Sequence, residues 1–132
     1  MGYETGHTDA GLLIMLNSGV MKNLTSGATR TTGGTTIAAD TWYHVAVTRS
    51  GSTWRLFLNG TQEDSVTQSS YITDSGSTTR LGNYGPSATA SHGLNGYIED
   101  FRITRGVARY TSNLPAPTSA HPTSTGDVYK AV

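Results

Sequence analysis

Two adjacent acidic pairs, Glu63-Asp64 and Glu99-Asp100, are the groups in this chain best suited to acid–base chemistry. Glycoside hydrolysis is the reaction to test against them. It needs two carboxyl groups facing each other across a sugar, roughly 5 to 9 Å apart. Consecutive side chains on a regular strand point to opposite faces, so neither pair meets that condition unaided, and the chain is expected not to be an enzyme. The four histidines, His7, His44, His92 and His121, are scattered, without His-x-x-x-His or His-Glu-x-x-His spacing. His44 lies within a strand pattern and reads as a hydrogen-bonded strand histidine rather than a metal ligand. Sugar binding asks for an exposed aromatic face beside amide and hydroxyl groups. Asn83, Tyr84 and His92, in a long loop with Pro86, are the candidates. Trp54 is a weaker one, because Leu56 and Leu58 share its face and core packing is its expected role.

Charge and composition remove other classes of function. Nine basic and nine acidic residues cancel and are spread evenly, so no nucleic-acid stripe or polybasic membrane patch is present. Arg outnumbers Lys seven to two, and Arg102, Arg105 and Arg109 cluster late in the chain. Their planar forks suit carboxylate pairs and interface contacts, which would tether the tail. There is no Cys, which excludes disulfides, thiolate zinc sites and cysteine catalysis. No apolar run approaches the roughly 18 residues of a membrane span, and the first residues have neither the basic start nor the apolar core of a signal peptide.

The elements that must position these groups are strands. Hydrophobic residues make up 35% of the 132 residues, Gly is frequent at 16, and Ser and Thr outnumber the charged residues. Thr, Val, Ile, Tyr and Trp favour a pleated surface, Gly, Ser and Asn favour turns, and no window carries a convincing 3.6-residue period. The class is all-β. Residues 11–16 are continuously apolar and read as a strand buried on both faces. Asn17-Ser18-Gly19 turns the chain into a partner strand over 20–25. Residues 28–37 hold one exposed strand, interrupted at Gly33-Gly34. A strong strand over 42–49 turns at 50–53 into a second over 54–58. Asn59-Gly60, suited to type I′ geometry, leads to a polar strand over 61–67 near a sheet edge. A short strand over 78–82 and the loop to Gly93 follow. The stretch 94–110 carries the last strand, which closes at Gly106 before a short helix-prone Val107-Ala108-Arg109. Its alternation fails at Glu99-Asp100, and a β-bulge there would restore it. Beyond Tyr110, Pro115, Pro117 and Pro122 mark a tail that cannot join a sheet centrally. Short strands at regular spacing indicate a sandwich or barrel.

The run Thr41-Trp42-Tyr43-His44-Val45-Ala46-Val47-Thr48-Arg49, a turn, then Trp54-Arg55-Leu56-Phe57-Leu58-Asn59-Gly60 resembles the central hairpin of laminin-G-like domains of the concanavalin A lectin/glucanase superfamily. Leu81-Gly82 and Gly96-Tyr97-Ile98-Glu99-Asp100-Phe101-Arg102-Ile103 look like that family's later strands. The ending Gly106-Val107-Ala108-Arg109-Tyr110 is similar to the one found in phage tail-fibre and virion proteins. The resemblance covers about residues 38–118. It implies an antiparallel two-sheet jelly-roll sandwich over 11–110, with an N-terminal arm over 1–10 and a Pro/Ser/Thr-rich extended tail over 111–132.

Two further implications come with the resemblance. Some relatives hold a structural calcium through an acidic residue of the last strand, which makes Asp100 a candidate ligand; the alternative is a carboxylate paired with Arg80, Arg102 or Arg105. Relatives also begin with further strands that have no counterpart before residue 11 here, leaving sheet edges and apolar surface to be covered. Either the chain is part of a longer one, or copies complete each other's sheets, and an oligomer or larger assembly is favoured. The function expected is that of a non-catalytic structural or adhesion module at a virion surface or outside the cell. Its partners would be copies of itself or other assembly subunits, with contact to cell-surface glycans. No nucleic acid and no membrane insertion are expected. An autonomous carbohydrate-binding module is the alternative, and a glycoside hydrolase a distant one.

Overall fold

Three two-residue turns set the strand pairing. Ser18 (φ 52°) and Gly19 (φ 80°), and Asn59 (φ 49°) and Gly60 (φ 81°), are left-handed at both central positions, the type I′ pattern whose twist matches that of the flanking strands. Between Ser50 and Thr53 positive φ is confined to Gly51 (58°), the type II′ pattern. The computed structural model describes residues 11–25, 28–69, 79–83 and 93–119. Its strands are β1 (Leu12–Asn17), β2 (Val20–Thr25), β3 (Ala28–Thr32), β4 (Val45–Ser50), β5 (Thr53–Leu58) and β6 (Thr61–Thr67). They form two antiparallel three-stranded sheets, β1-β2-β3 and β4-β5-β6. The expected all-β class and two-sheet sandwich stand. No described helix is long and apolar enough to cross a membrane.

The apolar core is β5. Trp54, Leu56, Phe57 and Leu58 are all buried, so this central strand is covered on both faces. On one face Trp54 lies beside Arg49 and Val66, Leu56 beside Val47, and Leu58 beside Val45. On the other face Phe57 lies beside Ala46 and is capped by Tyr110, whose ring centroid is 5.8 Å away. Thr48 Oγ1 donates to the Tyr110 carbonyl at 2.7 Å, fixing that cover in place. The segment after Tyr110 then returns past the β5–β6 turn: Leu114 N donates to Gly60 O at 3.0 Å and Gln62 N to Asn113 Oδ1 at 2.8 Å. The first sheet has a polar centre instead. Asn23, Thr25 and Thr31 are fully buried, with Asn23 Oδ1 accepting from Thr31 N at 3.1 Å and from Thr31 Oγ1.

Two β-bulges shape the sheets. Asn23 pairs with Thr31 and Leu24 with Thr29, so Arg30 is the extra residue of β3. Its guanidinium turns back to Thr25, Nε to Oγ1 and Nη2 to the carbonyl at 3.2 Å. Leu56 pairs with Asp64 and Phe57 with Gln62, so Glu63 is the extra residue of β6. A bulge re-aims the side chain of the unpaired residue, and in both strands that residue is charged.

Several expectations are corrected. Residues 11–16 are not buried on both faces: Leu12 (45%), Ile14 (43%) and Leu16 (48%) stay exposed and alternate with half-buried Leu13, Met15 and Asn17, and among the described residues β1 pairs with β2 alone. β3 is not fully exposed, since Thr31 faces the buried side. The strand expected from residue 42 starts at Val45, because Asp40 (φ 54°) holds a turn and the Asn59 side chain takes the His44 N–H at 2.9 Å. Residues 94–110 form no ladder and the 107–109 stretch no helix. What joins this region to residues 79–83 is an isolated bridge, Asn83↔Gly93, with Leu94 N donating to Gly82 O at 2.8 Å. The backbone does turn left-handed at Asp100 (φ 50°), where the bulge was expected, but no partner strand lies against it among the described residues. Residues 79–82 are likewise without a ladder. The arm over 1–10 and residues 120–132 of the tail lie outside the described residues.

Gly60 gives a test of the returning segment. A Cβ there would meet Leu114 O and stand 2.8 Å from Ala116 N, whereas a Cβ on Gly51 would meet nothing. Both positions carry the left-handed strain of roughly 1 kcal/mol for a non-glycine residue. Gly51→Ala should therefore lower the melting temperature by about 4 °C. Gly60→Ala should lower it further and, unlike Gly51→Ala, accelerate limited proteolysis within residues 111–119.

Candidate functional site

The carboxylates that could do chemistry are placed by the β6 bulge. Glu63 Oε2 accepts from Gly34 N and Thr35 N, both at 2.8 Å, while Oε1 accepts from Thr35 Oγ1 at 2.8 Å. Asp64 Oδ2 accepts from Thr32 N at 2.8 Å. Adjacent residues on a regular strand would diverge; the bulge lets both carboxylates reach the end of β3 and the glycine pair after it. They serve as acceptors for backbone donors that β3 cannot satisfy by pairing, and they close the junction where β3 meets β5 and β6. Gly33 sits at the same junction, close to the Leu56 side chain. Burial pushes the Glu63 carboxyl up, but hydrogen bonds from the Thr35 hydroxyl and the Thr35 and Gly34 amides outweigh it, and the group ionises below its ordinary value of 4.5.

The other acidic pair is placed differently. Glu99 and Asp100 are both exposed in the segment without a ladder. Asp100 was the candidate calcium ligand. Among the described residues no group of three or more His, Asp or Glu side chains that could hold a metal ion forms around it or elsewhere.

Of the loop candidates, Asn83 is half-buried at the base of the 84–92 loop, where its bridge with Gly93 closes the two ends. Among the described residues its buried Oδ1 has no hydrogen-bond partner. Tyr84 and His92 lie outside the described residues. Trp54 takes the expected core role, with the Arg49 guanidinium 5.5 Å from its ring centroid. The His44 ring packs against Tyr110 at 5.7 Å between centroids with the planes tilted by 57°.

Several large apolar side chains are exposed. Tyr97 (87% exposed), Phe101 (57%) and Ile103 (65%) stand out in the segment after the loop, as Leu12, Ile14 and Leu16 do on β1. Ile98 is also exposed and lies near Gly82. The structural roles of Glu63 and Arg30 are not visible in sequence, because nothing local marks a bulge; the run Gly33-Gly34-Thr35-Thr36, dense in unpaired donors, is the one signal that an acceptor must come from elsewhere.

Residues 2–109 match the family model of laminin-G-like domains described as the concanavalin A-like lectin/glucanases superfamily. The chain belongs to this family. Among solved structures, this laminin-G-like domain is similar to an S-layer domain-containing protein from Clostridium thermocellum, with 22% identity and a TM-score of 0.44. The alignment covers 86% of this chain and 64% of that one, so the chain spans less than two thirds of its neighbour's length. No curated protein matches.

The Glu63 contacts predict a pH dependence. A carboxyl whose folded pKa is depressed contributes stability above its unfolded pKa, and that contribution is lost as pH falls through the folded value. Glu63→Gln should therefore be less stable than the wild type at pH 7 by about 1 kcal/mol, the scale of partly exposed charged hydrogen bonds. The two proteins should converge in urea-unfolding free energy as pH falls below the ordinary carboxyl value of 4.5 and through the lower value of the folded state.

Proposed function

We propose that this laminin-G-like domain is a non-catalytic structural or adhesion module of a phage-type virion or another extracellular assembly, contacting copies of itself or other subunits and host-surface glycans. The observation that carries the reading is the exposed apolar surface of β1 and residues 97–103. Soluble monomers rarely leave contiguous apolar patches uncovered, and such surfaces mark interaction sites. The carboxylates support the non-catalytic side of the reading. Glu63 and Asp64 are engaged by backbone donors, and Glu99 and Asp100 are neighbours on an exposed segment rather than partners across a cleft.

Size-exclusion chromatography with light scattering tests the assembly role. Association that grows with protein concentration is expected, and a strict monomer over the whole range would overturn it. Catalysis is tested separately with a polysaccharide panel, scored for new reducing ends. None is expected; hydrolysis that disappears in Glu99→Gln would contradict the reading.

A second reading, an autonomous carbohydrate-binding module, draws on Asn83, whose Oδ1 has no hydrogen-bond partner among the described residues. A glycan-array signal from monomeric protein, abolished by Tyr84→Ala, would favour it over the first.

A further inference from the structure

Two Asn-Gly pairs occur in the chain, and they stand in nearly the same local sequence: Leu58-Asn59-Gly60-Thr61 and Leu94-Asn95-Gly96-Tyr97. An Asn followed by Gly is prone to modify itself. Glycine has no Cβ to shield its nitrogen or restrict its backbone, so that nitrogen can reach the side-chain carbonyl carbon of the preceding Asn. By sequence the two pairs should react alike. The fold separates them.

Asn59 is held away from reaction. Its Oδ1 accepts from His44 N at 2.9 Å, and its own N donates to His44 O at 2.8 Å. Turning the side chain over the Gly60 nitrogen would strip the His44 N–H of its acceptor. Asn59 (φ 49°) and Gly60 (φ 81°) are both left-handed, in a turn set by the Leu58↔Thr61 pair on either side. The returning segment fences Gly60 as well. Leu114 N donates to the Gly60 carbonyl at 3.0 Å, and a Cβ on Gly60 would stand 2.8 Å from Ala116 N.

Asn95 and Gly96 lie outside every strand, at a bend, and both are exposed. Neither is left-handed. A Cβ on Gly96 would meet the Leu94 side chain at 3.8 Å, an ordinary contact. This exposure gives the Asn95 side chain and the Asn95–Gly96 peptide room to reach the attacking geometry.

We propose that Asn95 is a self-modification site, converted to aspartate and isoaspartate with water as co-reactant, while the fold protects Asn59. Gly96 N bonds to Asn95 Cγ, the Cγ–Nδ2 bond breaks, and ammonia leaves carrying the proton lost from Gly96 N. Water then opens the cyclic imide. Attack at Cγ gives aspartate with the original peptide restored; attack at the main-chain carbonyl gives isoaspartate, whose chain runs through Cγ. Either product places a new carboxylate beside exposed Tyr97 and Ile98, close to the acidic pair Glu99-Asp100. This chemistry needs no second copy and no partner.

Peptide mapping by mass spectrometry of the folded full chain, aged in mildly alkaline buffer, reads both sites in one sample. Asn95 should convert at least about tenfold faster than Asn59. Gly96→Ala should slow conversion at Asn95 and leave Asn59 unchanged; the exposed position has room for the methyl group, and circular dichroism checks the fold. In the guanidinium-unfolded chain the two wild-type rates should converge, because their flanking residues are nearly the same. Equal rates in the folded chain, or a faster Asn59, would overturn the inference. So would the same preference persisting after unfolding, since it would then belong to the local sequence and not to the fold.

Discussion

The structure depends on covering both faces of β5. Four large side chains on this strand are buried, and at about 1.5–3 kcal/mol each their burial contributes on the order of 6–12 kcal/mol. That is comparable to the whole net stability of a small domain. A three-stranded sheet supplies only one packed face by itself, so the second must come from elsewhere. The chain supplies it with Tyr110, brought over Phe57 from 53 residues away in sequence and anchored through its carbonyl to Thr48. The late segment looked like a sheet strand by composition, and part of it instead serves as a lid on the core.

The second constraint is the junction between the sheets. The first sheet centres on Asn23, Thr25 and Thr31 and adds little apolar surface, so its position relative to β5 and β6 is set by polar contacts. The bulge at Glu63 makes this possible, because one extra residue in β6 lets two successive carboxylates turn toward the same backbone donors. A residue type that invites a catalytic assignment is here an acceptor in a splice between sheets. The bulge at Arg30 works in the same way within the first sheet, turning a charged side chain back onto Thr25.

Much of this was legible in the sequence. Ser18-Gly19 and Asn59-Gly60 specified their turns because few residue pairs tolerate two consecutive left-handed conformations. The alternation of 54–58 identified the central strand, and the broken alternation at Glu99-Asp100 located the left-handed residue. What was not legible depends on partners distant in sequence. A continuous apolar run such as Leu12–Leu16 reads as doubly buried, and only the fold reveals that alternate side chains along it stay exposed. Strand chemistry in 97–103 shows what the segment is suited to pair with, not whether a partner is present. Of the candidate site, Asn83 could be placed at its bridge with Gly93, while Tyr84 and His92 lie outside the described residues.

Among the described residues the chain joins a well-covered central strand to exposed apolar side chains on β1 and over 97–103, which is the physical case for a module that works in an assembly. Hydrogen–deuterium exchange, followed by mass spectrometry at two protein concentrations, tests this most directly. β5 amides should be strongly protected and indifferent to concentration, whereas amides of 97–103 and of the outer edge of β1 should exchange rapidly in dilute protein and slow together as concentration rises. Strong protection of 97–103 in dilute, monomeric protein would show that the chain satisfies its own edges, and would contradict the account.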